Sequence, residues 1–494
     1  MERKSGILMP VASLPSRFGI GCFDKAAYDF VDMLEKSGQS YWQILPMGPT
    51  GYGDSPYQSF STFAGNPYFI SLTELIKKGY LTERECAAST EGMSPKFIRY
   101  DLIYKRRFEL LRKAFKASSI ETDPDFNRFV DENSDWLNDY ALFMAIKDSL
   151  KGKSFLEWDE DIKNRDPDAM VTYRNKLMNE VMFYQFIQYE FDVQWTALKK
   201  YANDKGIKII GDIPIYVALD SADTWAHPEL FMLDEDGAPT HVAGCPPDPF
   251  APDGQLWGNP LYRWNVHAET GYVWWIERIR SVYRWYDMVR IDHFRGFDEF
   301  FAIPYGATAK DGEWLKGPGL DVFRAAKREL GDLSVIAEDL GFLTDSVRQM
   351  LKDSGFPGMK ILQFAFDSRE ESDYIPHKYE RNCVVYTGTH DNETTYSWWK
   401  KIPPEDKNMA VSYLGASRFT SRKKLTYKMI ELGMSSVADL CIIPMTDYLC
   451  LGESARINTP STLGTNWIWR MKDGAFTDKL SSYIRKITKL YGRE

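Results

Sequence analysis

Eight short apolar runs punctuate the chain: GILM at 6–9, YWQILP at 41–46, IKIIGDIP at 207–214, MVRID at 288–292, SVIAED at 334–339, MKILQF at 359–364, CVVYTG at 383–388 and DLCIIP at 439–444. Several are near-continuous in hydrophobic and β-branched residues, the pattern of parallel strands covered on both faces. Amphipathic segments lie between them, including 25–38, 274–286, 320–331 and 344–355, and Gly38, Gly331 and Gly355 sit where helices end. Strand–helix alternation repeated about eight times predicts an α/β fold, a (β/α)8 TIM barrel. A doubly wound open sheet is the alternative, but the glycine-rich phosphate turn expected of it after an early strand is missing.

The spacing is uneven. After the second run, residues 66–205 read as mainly helical, with long periodic stretches at 95–118 and 175–206. After the third, residues 215–272 form a second insertion, and its part 241–264, HVAGCPPDPFAPDGQLWGNPLYRW, is dense in Pro, Gly and aromatics. That composition predicts neither regular helix nor strand, and long irregular loops in compact domains usually cover sites. The expected organisation is one catalytic barrel over 1–494, with a helical insertion subdomain after strand 2 and a loop-rich lid after strand 3.

Composition narrows the partners. The chain has 494 residues, a formal net charge of −9 and no long basic block, which argues against nucleic acid and anionic membrane surfaces. No stretch is long and apolar enough to span a bilayer. The basic, then apolar, start MERKSGILMPVASL is interrupted by Pro10 and reads as a first strand, not as a secretory leader. Six scattered cysteines form no C-x-x-C. The expectation is a soluble cytoplasmic protein.

The charges inside and after the strands carry the chemistry. The third run contains Asp212, the fourth Arg290 and Asp292, the fifth ends in Glu338–Asp339, and the seventh leads into His390–Asp391. Barrel active sites lie at the C-terminal ends of the strands, and residues two apart share a face, so Arg290 and Asp292 point the same way. A single Asp there could be a helix N-cap; four such ends favour a site. The His-x-His spacing of barrel metallohydrolases is missing, so neither metal nor cofactor is expected. Retaining glycosyl transfer fits instead, since it needs one carboxylate as nucleophile and one carboxylic acid as proton donor. Arg290 favours the ionised form of Asp292, the nucleophile. Glu338 has no cationic neighbour in sequence and serves as acid and then base. Asp391 is left to hold sugar hydroxyls. His293 should point away and be structural, and His227, His241, His267 and His377 are expected at polar surfaces or caps.

Nine segments in order along the chain resemble the amylomaltase family, the 4-α-glucanotransferases or disproportionating enzymes, relatives of the α-amylases: SLPSRFGIG (13–21), GYGDSPYQ (51–58), GDIPIYV (211–217), DSADTWAHPELF (220–231), PPDPFAPDGQLWGNPLY (246–262), VRIDHFRGF (289–297), AEDLG (337–341), GTHDNET (388–394) and NTPSTLGTNWIWR (458–470). The resemblance implies Asp292 as nucleophile, Glu338 as acid/base and Asp391 as transition-state stabiliser. It implies Arg290, His390 and Asp212 at the donor subsite and Tyr57 as an aromatic platform. Trp257 falls in the loop covering the glucan, with Asp248 and Gln255 near it, and Asn458 is a polar subsite residue. The implied partners are malto-oligosaccharides and starch- or glycogen-like α-1,4-glucans. Ala251, Pro252 and Thr465 depart from the family pattern and bear on subsite preference. Whether water or a sugar hydroxyl accepts the glucosyl group, so hydrolase or transferase, is not decided by the residues alone, and a glucan-binding protein on the same barrel is the reading from another class.

Overall fold

The structure, a computed structural model, describes residues 2–247, 252–341 and 343–494. Among the described residues the strands are β1 Lys4–Leu8, β2 Tyr41–Gln43, β3 Lys208–Pro214, β4 His241–Cys245, β5 Gln255–Pro260, β6 Met288–Asp292, β7 Glu299–Pro304, β8 Glu313–Lys316, β9 Val335–Ala337, β10 Gly358–Ile361, β11 Cys383–Tyr386 and β12 Leu440–Pro444. Eight of them pair in the order β10-β11-β12-β1-β2-β3-β6-β9, all parallel. They coincide with the eight apolar runs of the sequence, with ends shifted by at most three residues. The two end strands meet where Ala337 N–H donates to the Pro357 carbonyl at 3.0 Å, and the sheet closes as a TIM barrel. Asp339 staples this seam: its Oδ1 accepts the Met359 N–H at 2.7 Å. Gly358 is required beside it, because a Cβ there would lie 2.7 Å from Asp339 Oδ2.

Helices jacket the barrel for the reasons the periodicity gives. Lys25–Lys36 starts on the Asp24 N-cap and buries Ala27, Phe30, Val31 and Leu34. Asp345–Ser354 starts on Thr344 and stops at Gly355, whose φ of 72° suits a residue without a Cβ. Between β2 and β3 run the helices Leu72–Lys77, Glu83–Ala88, Tyr100–Ser118, Pro124–Glu132, Ser134–Ser149, Glu160–Lys163, Pro167–Lys176 and Met178–Asp204. The last is interrupted from its predecessor at Leu177, inside the stretch read as continuous. It also belongs to the barrel: Trp195 Nε1–H donates to the Trp285 carbonyl at 3.1 Å, and Phe191 packs edge-on to Phe23. Its Gln188 amide makes two bonds to Gly65, at 2.7 and 2.8 Å, fixing the segment that leaves β2.

The 241–264 segment corrects the expectation of irregular structure. β4 and β5 are antiparallel arms, and with β7 and β8 they form a four-stranded sheet in the order β5-β4-β7-β8. The breakers that suggested a loop fall largely in the turn between the arms: Pro246, Pro247, Pro252 and Gly254. Gly244 marks the register shift between β4 and β5, as glycine inside a strand often does. The segment 299–316, which had given no strand signal, supplies the other two strands.

Candidate active site

Alternation along β6 puts Val289 and Ile291 against the helices and turns Arg290 and Asp292 into the barrel. The β3–β6 register sets Asp212 opposite Arg290. Arg290 Nη1 therefore donates to both Asp212 oxygens, at 2.9 and 2.8 Å, while Nη2 donates to Asp292 Oδ1 at 2.8 Å. Asp212 is fully buried and Arg290 3% exposed, whereas Asp292 is 31% exposed and opens to solvent at the C-terminal end of its strand. Burial pushes the Asp212 carboxyl up to about 6 although the Arg290 guanidinium pulls it down. Arg290 is held well above its ordinary range, because its two aspartates outweigh the burial that opposes its charge.

The chain of bonds continues. Tyr57 O–H donates to Asp212 Oδ2 at 2.9 Å. With that proton spent, the His390 Nε2–H is the donor in the 2.9 Å bond to the Tyr57 oxygen. His390 Nε2 also lies 3.3 Å from Asp391 Oδ2, and Asn458 Nδ2 donates to Asp391 Oδ1 at 2.6 Å. Burial opposes ionisation of Asp391, but His390, Asn458 and Arg290 outweigh it and hold the carboxyl below its usual range. Burial likewise opposes a charged His390, and Asp391 reverses the balance upward. One arc of side chains thus runs Asp292–Arg290–Asp212–Tyr57–His390–Asp391–Asn458 across β6, β3, the loop after β2, the end of β11 and the segment near the C-terminus. It brings together seven of the residues singled out in the sequence. Asp212, Arg290 and His390 are 3% exposed or less. Among the described residues, most of their polar atoms bond within the arc, while Arg290 Nε and His390 Nδ1 have no protein partner.

Glu338 follows β9, the neighbour of β6, and the pairing of Ile291 with Ala337 sets it beside Asp292. Two backbone donors grip it: His293 N–H to Oε2 at 2.7 Å and Leu340 N–H to Oε1 at 2.8 Å. Burial first, and the nearby Asp292 charge second, raise its carboxyl to about 7. Asp339 points to the barrel seam, so the adjacent acids serve different faces. His293 is more than structural. Its φ of 57° is left-handed, a conformation uncommon for a residue with a side chain and concentrated at functional positions. That turn aims its N–H at Glu338, and its ring meets Trp257 edge to face at 4.9 Å.

Trp257 is on β5, half-buried, with its indole N–H donating to Gln255 Oε1 at 3.1 Å. The contact with His293 brings β5 over the strand end that carries Asp292. Asp248 and Ala251 lie outside the described residues. Trp467 and Arg456 were missed. Trp467 flanks Tyr57 and His390 at 5.8 and 6.0 Å between ring centroids, and Arg456 donates to the Asp391 carbonyl at 2.9 Å and to Glu393 Oε1 at 2.7 Å. Trp467 lies inside a quoted segment and could have been found there; Arg456, two residues before that segment, gave no signal. His267 departs from expectation too: it is fully buried among Tyr262, Trp264 and Trp274, and burial pushes it down to about 4.

Comparison with known proteins gives the family and the fold. A family described as 4-alpha-glucanotransferase matches residues 9–477. The chain is 47% identical to a 4-alpha-glucanotransferase of Clostridium butyricum over 98% of its own length and 100% of the relative's. It is 42% identical to one of Thermus thermophilus, covering 99% of each. An amylomaltase from Streptococcus agalactiae, solved in complex with acarbose, superposes with a TM-score of 0.96 at 41% identity, covering 100% of both chains.

Proposed function

The chain belongs to the 4-alpha-glucanotransferase family, and from that premise we propose how its own residues move a glucan segment from donor to acceptor. It is a glycosyl-transferring enzyme acting on α-1,4-glucans. Asp292 is the nucleophile: Arg290 occupies its Oδ1, which leaves Oδ2 to attack the donor's anomeric carbon. As that bond forms and the glycosidic bond breaks, Glu338 gives its proton to the departing 4-oxygen. An acceptor's 4-hydroxyl then attacks the glucosyl ester, Glu338 takes the hydroxyl proton, and Asp292 leaves as carboxylate. The net configuration is retained. Asp391, held anionic and turned into the cavity, steadies the oxocarbenium-like transition state through sugar hydroxyls, with Asn458 fixing its angle. Tyr57 and Trp467 provide aromatic surface for a sugar ring.

The single observation that carries this reading is the contrast between two neighbouring acids. Asp292 takes a hydrogen bond from a guanidinium, while Glu338 takes its bonds from backbone N–H groups alone and is raised by burial and by the neighbouring Asp292 charge. Nucleophile and proton donor need that difference. Transfer in preference to hydrolysis is supported by the β5 arm, whose Trp257 sits against His293 and screens the ester from water. Malto-oligosaccharides and starch- or glycogen-like glucans are the proposed partners, and the cytoplasm the proposed location; among the described residues no helix is long and apolar enough to cross a membrane. The barrel is proposed to carry the catalysis, residues 66–205 to act as its helical subdomain and 215–272 as the cover of the site.

Maltotriose as sole substrate tests the activity. Glucose together with a ladder of longer chains is expected. Products that are only shorter sugars, with one new reducing end per bond cut, would mean a hydrolase.

A further inference from the structure

The loop that presents His390 and Asp391 is closed at its base by one acid that the chemistry does not use. Thr387 directly follows β11, and Thr395 opens the helix Thr395–Lys401. Asp447, in the short helix Met445–Tyr448 directly after β12, bonds to both. Its Oδ2 accepts the hydroxyls of Thr387 and Thr395, each at 2.6 Å, and its Oδ1 accepts the Thr395 N–H at 2.7 Å. Asp447 is 1% exposed; burial raises its carboxyl, and the three donors, with no cation among its described partners, oppose that rise. A buried carboxylate is costly and is kept only where its bonds are complete. Here the bonds fix the separation of the loop's two ends. Gln363 assists, its amide donating to the Glu393 carbonyl at 2.9 Å and its backbone N–H to the Thr387 carbonyl at 3.2 Å.

We propose that Asp447 is a positioning residue for the transfer reaction: by tying Thr387 to Thr395 it sets where Asp391 stands relative to the sugar. The proposal rests on the reading of Asp391 as the transition-state stabiliser. The chemistry explains why an acid is needed. Three donors converge on two oxygens that only accept. An amide of the same shape keeps one acceptor for the Thr395 N–H but reverses the other two bonds: the Thr387 and Thr395 hydroxyls must accept its N–H groups, and their own protons lose the buried acceptor they had, which loosens the hold on the loop ends. Displacements of about an ångström at reacting groups cost on the order of a hundredfold in rate.

The test uses the full chain and the variants Asp447→Asn, Thr387→Val, Asp391→Asn and Asp406→Asn. The last removes another buried carboxylate, 7% exposed, which accepts the Ser368 N–H at 2.8 Å away from the site. Measured for each are kcat and KM on maltotriose, inhibition by acarbose, binding of maltotetraose and Tm. Asp447→Asn is expected to lose about 10- to 100-fold in kcat with KM within about threefold. Acarbose, which imitates the flattened, cationic transition state, should weaken in step, while maltotetraose binds nearly as before. Thr387→Val should move kcat and acarbose the same way by a smaller factor. Asp406→Asn should lower Tm and leave kcat per folded molecule unchanged. If Asp447→Asn does not fold, Thr387→Val decides. Native kcat and native acarbose inhibition in the deciding variant overturn the proposal while Asp391→Asn remains inactive. If Asp391→Asn itself keeps native turnover, the reading of the site fails first, and the two failures are told apart.

Discussion

The two sides of the cavity are built from different materials. On one side the arc from Asp292 to Asn458 is rich in charge-assisted bonds, mostly buried, and anchored at Asp212, Arg290 and Asp292 on parallel strands whose register fixes them. On the other side Trp257 and Gln255 come from an antiparallel arm that meets the barrel through the ring contacts of Trp257 with His293 and Tyr216 and through uncharged amide bonds of Asn259. Charged networks in a low-dielectric interior have steep, directional energies, and edge-to-face ring contacts are shallow and tolerant. The arc therefore suits a step that needs exact placement of the donor sugar's anomeric carbon. The arm suits an acceptor that must arrive, bind in varied lengths and leave. Glu338 stands between them, held by main chain alone, and serves both half-reactions.

The largest effect should come from the arc. Asp292→Asn removes the attacking oxygen without changing shape, and maltotriose turnover should fall by at least about a thousandfold, while maltotetraose binding, read by tryptophan fluorescence, is retained. Turnover near native would show that the arc does not contain the nucleophile. Next is the residue between the two sides. Glu338→Gln should cost about 10²- to 10⁴-fold, much less when the donor carries a fluoride that departs without a proton. In the native enzyme, donor cleavage should fall about tenfold per pH unit above about 7, the value to which burial raises this carboxyl. The same shift acts on stability. Folding favours the protonated form, so its contribution is complete below the ordinary 4.5 and is lost as pH rises through about 7. A pH–rate profile that is flat to pH 9 would remove Glu338 from the role of acid.

A third measurement separates support from chemistry within the arc. Arg290→Met leaves Asp212 buried without its cation, and unfolding in urea should report a loss of about 3–5 kcal/mol. A loss under about 1 kcal/mol would mean that the arc is not the stiff side. The smallest effect belongs to the arm. Trp257→Ala should leave donor cleavage within about tenfold and raise the share of product released by water several-fold. An unchanged ratio of transfer to hydrolysis would erase the distinction between the two sides.

The sequence disclosed the arc's side of this comparison better than the arm's. Parallel strands write themselves as apolar runs, and a charge inside or just after one is conspicuous, which is why Asp212, Arg290, Asp292, Glu338 and Asp391 could be read in order. Which of them open to the cavity was not legible, because that depends on the lateral register of β3 against β6. The antiparallel sheet was hidden by its own turn, where Pro246, Pro247, Pro252 and Gly254 outweighed the short β4 and β5. His293 was misjudged because alternation describes its ring and says nothing of its N–H, which a left-handed turn delivers to Glu338. Asp447 gave no signal, since an acid in the first turn of a short helix after a strand looks like ordinary support for the helix end.

Glu338 and Asp339 give one dipeptide two employments, the proton donor on the inside and the rivet of the closing strands beside it. A deletion or insertion of one residue just upstream would swap which acid faces inward and, in the same stroke, unfasten the wall. Directed evolution of this enzyme toward new acceptors therefore has its room in the β4–β5 arm, and saturation libraries are expected to return mostly inactive clones at position 338 and mostly unfolded ones at 339 or 358.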